Sequence, residues 1–241
     1  MLFQNNPYLI WQILPVFVTL WLGIYVRTRF QKKPESEALV WLMFAGASWS
    51  LAGAIQLVSP DMAWQVFWHQ VTFAGIVVMP VIWFVLAVKF SGYFREQINR
   101  FQRLLYIVPA LTFLAILTNR VHGLFFTTKK MVIFNGTAVL NVQSGPLFLV
   151  HTWYSYLLIA LGVILLGVSL LRNFKNYGIQ AYGLILGVLT PLLANYLYVR
   201  QVFPPGFPDP TPISFTITGI TFAWAIFSGR MLDVVPIAHE A

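Results

Sequence analysis

The sequence predicts an all-α membrane protein, a bundle of seven transmembrane helices. Three observations predict it. Of 241 residues, 59% are hydrophobic and 9% charged, with mean hydropathy +0.75; a soluble domain carries about a quarter charged residues and needs them to cover its surface. Apolar runs near the roughly 20-residue length that spans a bilayer recur along the chain. Basic residues outnumber acidic ones 15 to 7 and fall unevenly between alternate loops. Disorder is excluded, because it needs low hydrophobicity. With no cysteine, disulfides, thiol nucleophiles and Cys-ligated zinc are excluded as well. The net charge of +8 reads as loop charge beside anionic lipid, so no nucleic-acid partner is expected.

The predicted spans are Tyr8–Val26, Ala38–Val58, Trp64–Val88, Leu104–Leu117, Leu147–Leu171, Tyr182–Val202 and Ile213–Phe227. The first has no basic residue before it and no small-residue cleavage pattern after it, so it reads as a retained helix, not a signal peptide. Pro80 and Pro191 fall inside spans, where neighbouring helices can satisfy the backbone groups they free. With the N-terminus outside, the cytoplasmic side holds Arg27, Arg29, Lys32, Lys33, Lys89, Arg95, Arg100, Arg103, Arg172, Lys175 and Arg230. The outer side then holds only Arg120, Lys129, Lys130 and Arg200. This asymmetry predicts an outside N-terminus, a cytoplasmic C-terminus and an odd number of spans.

The longest outer loop, between the fourth and fifth spans, carries Met131-Val132-Ile133-Phe134 and Thr137-Ala138-Val139-Leu140 on either side of Asn135-Gly136. Asn-Gly between β-branched flanks predicts a small β-hairpin with a type I′ turn. One transmembrane domain is expected over residues 1–232, with 233–241 as the start of a cytoplasmic linker.

The chain has no phosphate-binding loop, no His-Glu-x-x-His and no Gly-x-Ser-x-Gly. The last span has no lysine for a retinal Schiff base. No catalytic residue, cofactor or metal site is therefore expected. The polar residues inside the spans gather toward their outer ends. His151, Tyr154 and Ser155 share a face of the fifth span by their i, i+3, i+4 spacing. Pro191 and Asn195 share a face of the sixth, and Thr211 opens the seventh. His69 lies near the outer end of the third span, and Asn119 and His122 flank that of the fourth. Such groups should face the bundle, because unpaired polar groups in hydrocarbon cost several kcal/mol. Two readings stay open: interhelical hydrogen bonds, or the lining of a pocket for a small apolar or aromatic ligand with one or two polar handles.

The segments Thr118-Asn119-Arg120-Val121-His122-Gly123-Leu124-Phe125, Gly145-Pro146-Leu147-Phe148, His151-Thr152-Trp153-Tyr154-Ser155-Tyr156, Pro191-Leu192-Leu193-Ala194-Asn195, Asp209-Pro210-Thr211-Pro212-Ile213-Ser214-Phe215 and Leu232-Asp233-Val234-Val235-Pro236-Ile237-Ala238 carry a resemblance. Together they resemble the seven-helix N-terminal input region of bacterial sensor histidine kinases and related diguanylate cyclases. The resemblance implies a plasma-membrane sensor of a two-component system, homodimeric in its full-length parent, with a PAS, kinase or cyclase module after the last helix. It singles out Asn119, His122, Gly145, Pro146, His151, Tyr154, Asn195, Asp209, Thr211 and Pro212 as motif positions, with Asp233 and Pro236 at the cytoplasmic exit. Asp209 or Thr211 is expected to cap the seventh helix, with Pro212 in its first turn. The expected mechanism is a shift of spans five to seven, driven near their outer ends by a ligand or by a change in the state of the membrane and relayed inward by the seventh. The alternative is a small seven-helix transporter or channel.

Overall fold

The computed structural model describes residues 4–30, 34–172 and 174–229. Ten helices and one hairpin follow in order: α1 Leu9–Arg29, α2 Pro34–Val58, α3 Met62–Ile76, α4 Met79–Ser91, α5 Arg95–Leu105, α6 Ile107–Leu117, α7 Asn119–His122, β1 Phe126–Phe134, β2 Thr137–Ser144, α8 Pro146–Arg172, α9 Phe174–Val199 and α10 Thr211–Gly229. Among the described residues, five helical segments are long and apolar enough to cross a membrane: Leu9–Arg29, Glu35–Val58, Met62–Ser91, Arg95–Leu117 and Pro146–Ser169. Ile185–Val199 and Thr211–Phe227 are shorter apolar helices.

Two of the predicted runs differ from the structure in instructive ways. Trp64–Val88 is two helices, broken at Val77-Val78. Pro80 causes this: it sits in the first turn of α4, where its missing N–H has no helical partner to lose. Leu104–Leu117 is α6 preceded by the polar helix α5, so the segment starts at Arg95. The apolar pattern missed α5 because Arg95, Glu96, Arg100 and Arg103 are spread through it. The sixth helix starts at Phe174, eight residues before the apolar run at Tyr182, and Asp233 and Pro236 lie outside the described residues.

The bundle wears its apolar side chains outward. Ile10, Leu14, Phe17, Trp21 and Ile24 form an exposed stripe along α1 at alternating steps of four and three. Val150, Trp153, Leu157, Leu161, Ile164, Val168 and Leu171 do the same along α8. Meanwhile Gln12, Thr19, Gln65, His151 and Ser155 are buried. That is the reverse of a soluble domain, and it suits a helix bundle solvated by lipid.

α2 is the central helix, with α1, α3 and α4 packed on it, and α8 packs on α4. α10 lies against both α9 and α1. The main core reaches from the cavity floor at Phe222 to the end away from the hairpin, where Leu22, Leu39, Val81 and Val88 are enclosed.

The hairpin is a two-stranded antiparallel ladder in which Phe134 pairs with Thr137 and Phe126 with Ser144. Asn135 and Gly136 turn it with φ of 48° and 78°, the left-handed pair that a type I′ turn requires and that Asn-Gly tolerates. The strands run beyond the four-residue flanks expected on either side of the turn, to Phe126 and Ser144, and two glutamines, Gln65 buried and Gln4 half-buried, bond the half of the ladder nearest the turn. The Gln65 Nε2 donates to the Ala138 and Ser59 carbonyls at 2.7 and 2.8 Å, and its Oε1 accepts from the Leu140 N–H at 2.7 Å. Gln4 donates to the same two carbonyls, at 2.8 and 3.2 Å, and to Leu57 O at 2.9 Å. The hairpin is thereby fastened to the α2–α3 turn across the end of the bundle.

Candidate functional site

Beneath the hairpin lies a cavity of about 490 Å³. α1, α2, α3, α4, α8, α9 and α10 all contribute to its wall, with β2 and the α9–α10 loop at its rim. Aromatic side chains dominate the wall, among them Trp49, Trp83, Phe73, Tyr156 and Phe215. Gly53 on this wall admits a close neighbour, since a Cβ there would meet the Gln12 side chain.

Polar groups stand at intervals on this apolar wall. His151 and Ser155, one turn apart on α8, are both buried, and His151 Nε2 lies 3.4 Å from Ser155 Oγ. The other imidazole nitrogen, Nδ1, is buried with no hydrogen-bond partner. Across the cavity, Gln12 of α1 is 3% exposed, and its Oε1 likewise has no partner. Buried polar atoms without partners are rare, because each forfeits its hydration.

A chain of hydrogen bonds joins three helices at the same end. The Tyr156 hydroxyl of α8 donates to Asn195 Oδ1 of α9 at 3.0 Å. Asn195 Nδ2 reaches Thr211 Oγ1 at 3.5 Å. The Thr211 N–H and hydroxyl both donate to Asp209 Oδ1, at 2.8 and 2.6 Å. Asp209 thus closes the first turn of α10, where the exposed N–H groups favour a carboxylate, and Pro212 follows as its second residue. Burial pushes the Asp209 carboxyl up to about 6, and the two Thr211 bonds work against that rise.

About two turns deeper, α9 and α10 meet at Gly187. Pro191 has no N–H to offer the Gly187 carbonyl four residues earlier. The Thr218 hydroxyl of α10 donates to that carbonyl instead. A side chain on Gly187 would collide with Thr221 and Phe222, so glycine is what allows the approach.

The structure brings His69, His151, Ser155, Asn195 and Thr211 together around the cavity, along with Pro191 and Asp209. It places three other candidates elsewhere. Tyr154 turns off the cavity, and its hydroxyl donates to the Leu105 carbonyl at 2.6 Å, where α5 gives way to α6. Asn119 is a backbone clamp: its Oδ1 accepts from the Phe125 and Phe126 N–H groups at 2.8 and 3.0 Å, and its Nδ2 donates to Phe126 O at 3.0 Å. His122 caps its own turn, its Nδ1 accepting from the Leu124 N–H at 2.9 Å. Gly145 and Pro146 join the hairpin to α8. The Gly145 N–H donates to Phe125 O at 2.8 Å, and the Leu124 carbonyl lies where a Cβ would stand. Trp64 and Trp153, at the same level, are exposed on the bundle exterior, where interfacial aromatics belong.

Sequence reasoning passed over Gln12, Gln65 and Tyr156. A glutamine inside an apolar run was the available signal for the first two, since an amide buried in a span must find a partner. Among the described residues, no group of three or more His, Asp or Glu comes together to hold a metal ion.

No curated protein matches the chain. The family described as the N-terminal 7TM region of histidine kinase matches residues 12–236, which include the cavity wall and the motif segments as far as Pro236. The chain belongs to that family, and with it to the multi-pass membrane regions that precede histidine kinases.

Proposed function

We propose that this chain is the ligand-sensing input domain of a bacterial sensor histidine kinase, set in the inner membrane with seven spans. In this reading the N-terminus and hairpin face outward, and α10 leads to a cytoplasmic linker from about residue 233 and then to a PAS, kinase or cyclase module. The cavity takes a small molecule with an apolar or aromatic body. The full-length parent acts as a homodimer, and the signal is a changed relation between two α10 helices, for which a coupling of about 1–3 kcal/mol suffices.

The observation that carries this is the Tyr156–Asn195–Thr211–Asp209 chain. It lines the cavity and ends on the first turn of α10, so an occupant that disturbs it acts directly on the helix that exits the bundle. The packed layer of Leu22, Leu39, Val81 and Val88, none of which lines the cavity, supports a receptor over a transporter or channel.

The test replaces Asn195 with Ala in the full-length parent and measures autophosphorylation against stimulus. A displaced or lost response with normal membrane insertion is the expected result. An unchanged response would reduce the chain to structural bonding. Topology is checked separately: the chain has no cysteine, so a single Gly136→Cys in intact spheroplasts should react with a membrane-impermeant maleimide.

A further inference from the structure

The cavity wall has an electrostatic character that the sensor reading does not use. Asp209 is the one carboxylate on it, and among the described residues no lysine or arginine lines it. Both Thr211 bonds fall on Asp209 Oδ1. Its second oxygen has no hydrogen bond, and no cation lies within 4 Å among the described residues. The surrounding wall is aromatic: Trp49, Tyr156, Tyr198, Phe203, Phe207 and Phe215 share this space. Phe203 and Phe207 stack with centroids 4.6 Å apart on the loop that leads to Asp209.

Asp209 is half-buried, and a partly desolvated carboxylate without a cation gains by recruiting one. Aromatic faces attract the same charge. A second acceptor also waits for a donor, since Gln12 Oε1 is deeply buried and unpartnered. His151 Nδ1 adds a third unsatisfied position on α8. An anion finds no positive side chain to meet it here, and a wholly apolar molecule leaves the Asp209 carboxylate unmatched.

We propose, on the footing of the sensor reading, that the cavity binds an organic ammonium ion with an aromatic or apolar body. The ammonium sits at Asp209 Oδ2 among the aromatic faces, and the body fills the space toward Gln12 and His151. Such an ammonium can come from a soluble amine or from an ethanolamine lipid headgroup.

The test uses the purified chain in phosphatidylglycerol nanodiscs with three probes of similar skeleton: 2-phenylethylamine, 2-phenylethanol and 3-phenylpropionate. Trp49 and Trp83 on the wall report binding by fluorescence, and hydrogen exchange of the α10 amides reports the response. The amine should bind at least about tenfold tighter than the alcohol. Asp209→Asn keeps the oxygen that accepts from Thr211 and removes the charge, so it should erase that preference without lowering the melting temperature. Equal binding of amine and alcohol, a preference that survives in D209N, or no binding by the amine would overturn the proposal. If the alcohol binds and α10 protection responds, the sensor reading survives that failure. If no probe binds and α10 never responds, both readings lose their support. Repeating the titration with phosphatidylethanolamine in the nanodiscs separates the sources: competition assigns the ammonium to the lipid, and its absence to a soluble amine.

Discussion

The two ends of this bundle are built from the same kinds of helices and packed in opposite ways. At the hairpin end the helices stand apart around a cavity, and beside a small aromatic cluster of Phe73, Phe125 and Phe126 they are joined by hydrogen bonds: Gln65 to the hairpin, Tyr156 to Asn195, Thr211 to Asp209. At the other end Leu22, Leu39, Val81 and Val88 interlock with almost no solvent contact. The difference is one of bistability. Hydrogen bonds among side chains can exchange partners at small cost, whereas a close-packed core tolerates little displacement. The hairpin end is therefore suited to respond, and the opposite end to hold the helices as they move together. α10 runs through both, from the Thr211 turn to Phe222, Ala225 and Ile226 in the core.

The contrast can be broken at its solid end first. Leu39→Ala removes a fully enclosed side chain of α2 and should cost about 2–5 kcal/mol, the largest loss of the set. Thermal melting in detergent measures it, and a loss below about 1 kcal/mol would mean that the packed end is looser than its burial implies. At the other end, Gln65→Ala leaves the buried Leu140 N–H without a partner. It should cost about 1–3 kcal/mol and free the hairpin amides to exchange while those of α4 keep their protection.

Asn195→Ala cuts one link between α8 and α10 and should cost about 1 kcal/mol, since hydrogen bonds between membrane helices are individually weak. Its effect on signalling should exceed its effect on melting, and the reverse ranking would remove the distinction between the two ends. The smallest effect is a pH slope. Asp209 titrates near 3.8 when unfolded and about 6 when folded, because burial disfavours its charge. Between those values the folded chain holds a proton that the unfolded chain has lost. Its contribution to stability is thus full below about 4, falls as the pH rises to about 6, and is flat above that. Melting temperatures of the wild type and D209N across this window should show the slope only in the wild type.

Several elements were legible because their signals are local. Asn135-Gly136 between β-branched runs specifies a two-residue turn through its own φ angles. Asp209, Thr211 and Pro212 specify how α10 starts, since capping involves only neighbours in sequence. The Pro191 position announced a carbonyl in need of a donor, though not that Thr218 would supply it. Tyr154 and Tyr156 show where legibility stopped. Both are tyrosines of one short motif on α8, yet Tyr154 bonds to Leu105 and Tyr156 faces the cavity. His151, Tyr154 and Ser155 share a helix face, but that face is wide enough for the cavity to take only part of it.

Sequence alone determined that the chain belongs in a bilayer, because its charge is too sparse for any water-covered surface. It also determined the turns and helix starts, which depend on nearest neighbours. Only the tertiary structure decided which side of each helix faces inward. In lipid the outer face of a helix is as apolar as its inner face, so the contrast that betrays the buried side of a soluble helix is nearly absent. The places of Gln12, Gln65 and Tyr156 were settled by contacts between residues far apart in the chain, the Leu140–Gln65 bond spanning 75 positions.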